Sequence, residues 1–190
     1  MRKDKGSELL NRQSIPPRLV GDPGPTDDDI NYMLDAAVRA PDHGAVRPWR
    51  FHVIQKQALE RLGQVFAEAL QRRDKEASNE ALEKERKRPL RAPLIITVCA
   101  KIDEERTNKI PVVEQVVSAG TACQNILLAA HERGYGAMML TGANAHDPYV
   151  KRAFGLNDRD EIVSFIYIGT PSSQYIEKER PHAQEFTKYW

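Results

Sequence analysis

Residues 111–134 have the sequence PVVEQVVSAGTACQNILLAAHERG, and this stretch decides how the chain can fold. Pro111 suits the first turn of a helix, and Gly134 suits the left-handed residue that ends one. No residue from Val116 to Ala130 is charged, so we expect the helix to be buried on all sides. Its small residues would let a second backbone approach closely. The pattern therefore predicts the central helix of a homodimer.

Shorter elements are predicted on both sides of this helix. Thr26 can cap a helix that continues to Arg39, and helical periodicity returns from Lys56 to Arg73. The apolar run Pro93–Ala100 predicts a strand that is covered on both faces near the middle of a sheet. Further elements are expected at Ser7–Arg12 (helix), Trp49–Ile54 (strand), Gly136–Leu140 (strand), Asp147–Phe154 (helix) and Ile162–Ile168 (strand). Taken alone, the order of strands and helices suggests a parallel sheet.

No repeat or linker divides the chain, so residues 1–190 are expected to form one domain. Residues 74–90 are crowded with charges, which predicts a solvated helix or a mobile excursion over the surface. Residues 172–190 are interpreted as a polar tail. The basic residues between Lys84 and Arg91 are diluted by Glu83 and Glu85, so we interpret them as a solvated face and not as a nucleic-acid patch.

The composition excludes several classes of protein. The 28 Lys+Arg and 27 Asp+Glu residues leave a net charge of +1, which lacks the strong positive field of a nucleic-acid-binding protein. No stretch supplies the ~20 apolar residues of a membrane span, and the first residues lack the apolar core of a signal peptide. Cys99 and Cys123 fit neither a metal motif nor a disulfide framework. We expect a cytoplasmic protein with no metal, membrane or nucleic-acid partner.

Arg12, Gln13 and Ser14 form the first candidate site, at the end of the first predicted helix. An arginine fork matches the geometry of a phosphate, and a neighbouring hydroxyl adds a donor, so the segment can hold an anionic group. The alternative is a surface helix end with a basic residue near its C-terminus. Other donors for the same anion are Arg18, Lys178, Arg180 and Lys188.

Two further segments combine polar residues with irregular backbone. Residues 39–50, RAPDHGAVRPWR, join a helix to a strand through a loop rich in donors. His43 could donate to a ring carbonyl or a phosphate, or it could be a loop histidine bonded to backbone. Residues 134–142, GYGAMMLTG, form a corner between helix and strand. The chain has no dinucleotide GxGxxG motif, no P-loop, no GxSxG elbow and no HExxH spacing.

Taken together, these segments resemble the nitroreductase family, and in particular its short members. The match is ordered along the chain and covers roughly Leu9 to Pro171. Its pieces are Arg12-x-Ser14, Arg39-Ala-Pro-Asp-His43, Pro48-Trp-x-Phe51, Arg91–Val98, Ala119-Gly120, Gln124-Asn125, Leu127–Ala130 and Tyr167–Pro171. Each piece is short, but their order and spacing together are specific.

The resemblance implies an α+β sandwich, in which helices surround a mixed, mostly antiparallel sheet, and a homodimer with two FMN sites built from both chains. It implies three sets of FMN-binding residues. Arg12, Gln13 and Ser14 would hold the ribityl phosphate, Arg39 and His43 would reach the same FMN from the partner subunit, and Met139, Leu140 and Thr141 would line the flavin. The antiparallel sheet replaces the parallel one that the order of elements suggests.

The activity implied by the resemblance is that of an oxidoreductase which takes hydride from NADH or NADPH onto flavin N5. A nitroaromatic, quinone or similar acceptor would then be reduced in a second half-reaction. The flavin supplies this chemistry, so no catalytic acid or base is assigned. The alternatives are a specialised flavoenzyme acting on one metabolite and a flavin-binding protein without turnover.

Three positions depart from the family pattern. A second arginine is common where Gln13 stands, Pro16 and Pro17 lengthen the following loop, and Met139-Leu140 replaces an aromatic-plus-basic pair. These changes bear more on the identity of the substrate than on flavin binding, because apolar side chains offer fewer donors to a substrate anion.

Overall fold

The structure is a computed structural model, and it describes residues 8–172 and 179–190. The helices are α1 (Glu8–Asn11), α2 (Asp27–Ala37), α3 (Gln57–Arg73), α4 (Asn79–Lys87), α5 (Val112–Glu132) and α6 (Pro148–Ala153). The strands are β1 (Val20–Gly21), β2 (Trp49–Gln55), β3 (Leu94–Ala100), β4 (Gly136–Leu140) and β5 (Glu161–Pro171). Ser7, the expected start of the first helix, lies outside the described residues.

The five strands form one sheet in which β5 is central. It pairs with β3 along one edge and with β4 and β1 along the other, and β3 pairs in turn with β2. Every pairing among the described residues is antiparallel. The expectation of a mostly antiparallel sheet is therefore confirmed, and the parallel sheet suggested by the order of elements is wrong. The reason is that α3 and α4 do not return the chain parallel to β2, so the next strand, β3, runs back alongside it.

The sheet separates two apolar layers. Helices α2 and α5 pack on one face, against Leu94, Ile96 and Val98 of β3, and α3 and α6 pack on the other, against Ile95 and Cys99. All seven residues of β3 are buried, which confirms the covered strand predicted from its apolar run. Among the described residues, no helix is both long enough and apolar enough to span a membrane.

Helix α5 ends as its sequence predicts. The Tyr135 amide donates to the Ala130 carbonyl at 2.8 Å and the Gly134 amide to the His131 carbonyl at 2.9 Å, while Gly134 has a φ of +82°. This is the Schellman arrangement, in which the left-handed residue is most easily a glycine. The structure differs in the burial of the helix: its own chain covers nine of its residues but leaves Val113 and Val117 65% and 58% exposed.

Residues 74–90 contain a helix, which is one of the two alternatives that their charges allowed. Ser78 caps α4 by accepting a hydrogen bond from the Ala81 amide at 3.2 Å. Leu82 and Glu85 are buried, because α4 packs closely on α3 at Gly63. The exposed side of α4 carries ion pairs of Glu83 with Arg86 and Lys87. The segment is therefore a solvated helix with one packed face.

Candidate functional site

Arg12 lies just beyond the end of α1, where the chain turns toward the sheet. The Ile15 amide donates to the Ala137 carbonyl of β4 at 3.1 Å, which fixes the segment against that strand. Arg12 is partly buried, and its Nη1 atom is buried with no hydrogen-bond partner among the described residues. Burial, and secondarily the charge of Arg180, lowers the pKa of Arg12. A buried guanidinium nitrogen without a partner is costly, so this group is suited to an anion.

Arg180 lies next to Arg12 although the two are far apart in the sequence. Its Nη2 atom donates to the backbone carbonyl of Arg12 at 3.1 Å. Two guanidinium groups that approach each other repel unless an anion lies between or beside them. The sequence identified Arg180 only as one of several alternative donors; no motif marks it. Arg18 is exposed, and Lys178 lies outside the described residues.

Arg39 and His43 lie in the loop that follows α2. The helix ends at Ala37 and not at Arg39, because Pro41 disfavours helical backbone at the residue before it. Both side chains are exposed. The Asn125 side chain of α5 donates to the Ala36 carbonyl at 2.9 Å, and this contact holds the start of the loop beside α5.

His43 does not hydrogen-bond to its own backbone. Its Nδ1 atom contacts a carboxylate oxygen of Glu114 on α5. The two side chains border a cavity of about 280 Å³ that is also lined by Pro41, Val113 and Val117. Sequence reasoning missed Glu114. A signal was present, since Glu114 is the only Asp, Glu, Lys or Arg residue between Pro111 and His131.

Met139 and Leu140 lie at the end of β4, and Thr141 follows the strand. Met139 pairs with Ile166 and Leu140 with Phe165 of β5, and the Ser164 hydroxyl donates to the Leu140 carbonyl at 3.3 Å. Met139 and Thr141 are exposed. These residues therefore form an accessible edge on a rigid strand, as a binding surface requires.

A polar network fixes the turn that follows Thr141. Arg73 of α3 donates to Asp147 at 2.5 Å and to Asn144 at 3.0 Å, and Asn144 donates to Glu85 of α4 at 2.8 Å. Asp147 also accepts from the Tyr149 amide at 2.7 Å and so caps α6. Three of these residues, Glu85, Asn144 and Asp147, are buried. Their contacts anchor the end of β4 to the two helices behind it.

One chain brings together only some of the candidate residues. The bond between Ile15 and Ala137 places the segment of Arg12, Gln13 and Ser14 beside β4, which carries Met139 and Leu140. Arg39 and His43 lie instead beside the N-terminal half of α5.

Comparisons with known proteins agree with this architecture. The sequence pattern of the nitroreductase family matches residues 9–170. A protein of Escherichia coli K12 named "Putative NAD(P)H nitroreductase YdjA" is 39% identical over 163 residues, which make up 86% of each chain. The crystal structure of a nitroreductase-like family protein from Bacillus cereus has a TM-score of 0.80 at 23% identity and covers 96% of this chain and 94% of its own.

A nitroreductase from Bacteroides fragilis, whose crystal structure contains bound FMN, has a TM-score of 0.71 at 18% identity and covers 96% of each chain. At these identities the two structural neighbours show the fold. The family match extends over most of the sequence and includes the segments that carry Arg12, His43 and Met139. The chain therefore belongs to the nitroreductase family, a family of oxidoreductases.

Proposed function

We propose that this protein is an FMN-dependent NAD(P)H oxidoreductase that reduces nitroaromatics, quinones or similar acceptors in two alternating half-reactions. The observation that carries the proposal is the buried Nη1 atom of Arg12, which lies beside Arg180 and has no hydrogen-bond partner in residues 8–172 and 179–190. The name of the Escherichia coli relative supports the reaction class, and the Bacteroides fragilis structure shows that this fold can hold FMN.

The residues around Arg12 fit the phosphate of FMN. A phosphate monoester carries about two negative charges at neutral pH, and Arg12 and Arg180 supply two positive ones. Ser14 adds a hydroxyl donor and Gln13 an amide donor. An anion here would give Arg12 a partner and relieve its repulsion with Arg180. Bound FMN would supply hydride acceptance from a nicotinamide and hydride transfer to the second substrate.

Met139, Leu140 and Thr141 are proposed as one wall of the flavin site. Their strand is fixed by pairing with β5 and by the polar network behind it, so the wall keeps its shape when the flavin binds. Met139 and Leu140 exclude water from the ring, and Thr141 offers a hydroxyl. We assign no catalytic acid or base to this chain.

The second half of the site is proposed to come from another copy of the chain. Val113 and Val117 of α5 are exposed and lie one helical turn apart, and Gly120 continues the same face with open space beside it. We propose that two copies meet along this face. Arg39 and His43 of the partner subunit would then reach the flavin held by Arg12.

The visible absorption spectrum of the purified protein tests this function. We expect the oxidised flavin band, released cofactor that is identified as FMN by mass, and bleaching of the band by NADH or NADPH without oxygen. Addition of a nitroaromatic or a quinone should restore the band and sustain turnover. A colourless protein that takes up no FMN would contradict the proposal. If the protein binds FMN but neither NADH nor NADPH bleaches the flavin band, its function is limited to flavin binding.

A further inference from the structure

The loop that carries His43 is held in place by contacts within the chain. Asp42 accepts a hydrogen bond from the Arg47 amide at 2.7 Å, and Arg106 donates to the Gly44 carbonyl at 2.6 Å. Gly44 has a φ of +65°, and a Cβ atom there would lie 2.5 Å from Ile110. The backbone position of His43 is thus determined by its neighbours. What remains to be fixed is the orientation of its ring.

Glu114 fixes that orientation. Its carboxylate contacts Nδ1 of His43, and a carboxylate can only accept, so Nδ1 carries the proton of this hydrogen bond. The opposite ring nitrogen, Nε2, is then directed away from α5. A histidine whose Nδ1 proton is held by a carboxylate has one defined direction for its second nitrogen, and that nitrogen donates a hydrogen bond when the ring is the imidazolium.

The apolar surroundings of Glu114 indicate a second role for its contact with His43. Val113 and Val117, two exposed valines of α5, are its neighbours on the helix, and the cavity beside it is mostly apolar. If a second copy covers this face, a carboxylate left without a partner would be buried at a large cost in free energy. His43 is the partner that the chain provides. The contact therefore serves both the interface and the direction of the imidazole.

We infer that Glu114 is a positioning residue, which holds His43 with Nδ1 protonated so that Nε2 is presented to the flavin bound by the partner subunit. This inference rests on the proposed function. Glu114 itself does not touch the flavin in this scheme, and it acts only through the imidazole. Removal of its charge should therefore change the same property of the flavin as removal of His43, and in the same direction.

Three variants test the inference: Glu114→Gln, His43→Ala and the double variant. Glu114→Gln keeps the shape of the side chain and removes its charge. The flavin midpoint potential of each variant is measured by redox titration, with FMN affinity for the apoprotein measured by fluorescence. We expect Glu114→Gln to shift the potential in the direction of His43→Ala by a smaller amount. The double variant should match His43→Ala, because coupled residues are not additive.

Glu132→Gln is the matched control. It removes the same charge from the other end of α5, where Glu132 accepts from the Tyr32 hydroxyl at 2.7 Å and has no contact with His43. We expect no change in the potential of this variant. A shift equal to that of Glu114→Gln would overturn the inference, because it would reflect the charge of the helix and not the direction of His43.

Nitrogen-15 NMR of the histidines gives a readout without flavin. His43 is assigned by the signal that His43→Ala removes, and its Nδ1 should be protonated in the wild type and lose that preference in Glu114→Gln. If Nδ1 of His43 carries no proton in the wild type, the inference about Glu114 is overturned, but the proposed function is not. The inference is also overturned, and the proposed function is not, if the flavin midpoint potential shifts in His43→Ala but stays unchanged in Glu114→Gln. If His43→Ala leaves the potential unchanged, the placement of His43 in the proposed function also fails.

Discussion

Arg12 combines partial burial, a nearby positive charge and a guanidinium nitrogen that finds no partner in the part of the chain that the structure describes. Each of these features lowers stability when the chain is considered alone. Burial and Arg180 both act against the charged form and lower its pKa. Such an arrangement is typical of a binding site, where the bound ligand restores the stability that these features cost the folded chain. The phosphate of FMN would reverse both effects.

Arg12→Ala should weaken FMN binding without unfolding the protein. A charge-assisted hydrogen bond contributes roughly 1.5 to 3 kcal/mol, which corresponds to a loss of about ten- to a hundredfold in affinity. Fluorescence titration of the apoprotein with FMN measures the change. Arg18→Ala is the control, because Arg18 is exposed nearby in the chain, and its affinity should stay within about twofold of the wild type. An unchanged dissociation constant in Arg12→Ala would place the phosphate elsewhere.

His43→Ala should lower the midpoint potential of the flavin. In the imidazolium form, with Nδ1 donating to Glu114, Nε2 of the partner's His43 would donate to the flavin and stabilise the reduced and more anionic ring. For a two-electron couple, 30 mV corresponds to ~1.4 kcal/mol, so loss of one hydrogen bond predicts a change of some tens of millivolts. Redox titration with both proteins saturated with FMN measures it. Potentials that agree within error would remove His43 from the flavin site.

At the scale of elements, the carboxylate of Asp29 in the first turn of α2 links this helix to the end of α5. The Asp29 carboxylate accepts from the Thr26 hydroxyl at 2.6 Å and from the Tyr135 hydroxyl at 2.8 Å, and Arg133 lies 3.6 Å away. The hydrogen bond from Thr26, followed by that from Tyr135, lowers the pKa of Asp29. The carboxylate thus joins the start of α2 to the end of α5.

Asp29→Asn should destabilise the protein by about 1 kcal/mol at neutral pH, a small value because solvent screens part of the interaction. The folded-state pKa of Asp29 lies below its ordinary value of 3.8, so its contribution is present above that pH and is lost as the pH falls through the folded-state value. Urea unfolding measures the free energy of unfolding of both proteins at pH 7 and at lower pH. The difference between Asp29→Asn and the wild type should become smaller below pH ~4. Asp28→Asn, in the same helical turn, is the control. A difference that does not change with pH would contradict this assignment.

Gly63→Ala tests the packing of α4 on α3. A Cβ atom at residue 63 would lie 2.1 Å from the backbone carbonyl oxygen of Arg86, so the two helices must separate. We expect a loss of about 1–3 kcal/mol, the usual cost of overpacking, although alanine is the better helix former. Thermal unfolding measures the change. A stabilised Gly63→Ala protein would show that α4 is not packed as described.

Much of this architecture could be predicted from local sequence signals. The cap of α5 at Gly134, the burial of β3 and the capping by Thr26 depend on nearest neighbours, and the structure agrees with them. The direction of strand pairing could not be derived in this way, because it depends on how the chain returns after α3 and α4. The resemblance supplied it.

The candidate site shows the same division. Arg12 and His43 were found from short motifs, whereas Glu114 and Arg180 become relevant only through contacts across long stretches of chain. Sequence separations of 71 and 168 residues explain why no local pattern predicted either contact. Val113 and Val117 of α5 were expected to be buried, and no element among the described residues covers them.

At the scale of the whole molecule, the proposed dimer depends on the exposed face of α5. Val117→Lys should prevent dimer formation and destabilise the fold, because an apolar contact is replaced by a charge that the second copy would bury without a partner. Sedimentation velocity and thermal unfolding measure the two effects. Leu90→Lys, at a residue 49% exposed on the opposite side of the sheet from α5, is the control and should remain a dimer. A dimeric, fully stable Val117→Lys protein would place the interface elsewhere.

In the proposed assembly, two copies of the chain share each FMN. Sedimentation velocity of the purified protein tests this directly when absorbance is recorded in both the protein and the flavin bands. We expect one boundary at the mass of a dimer, with flavin and protein moving together at one FMN per chain. Dilution to the point of dissociation should release flavin as monomer appears. A folded monomer that retains FMN at the same ratio would contradict the account.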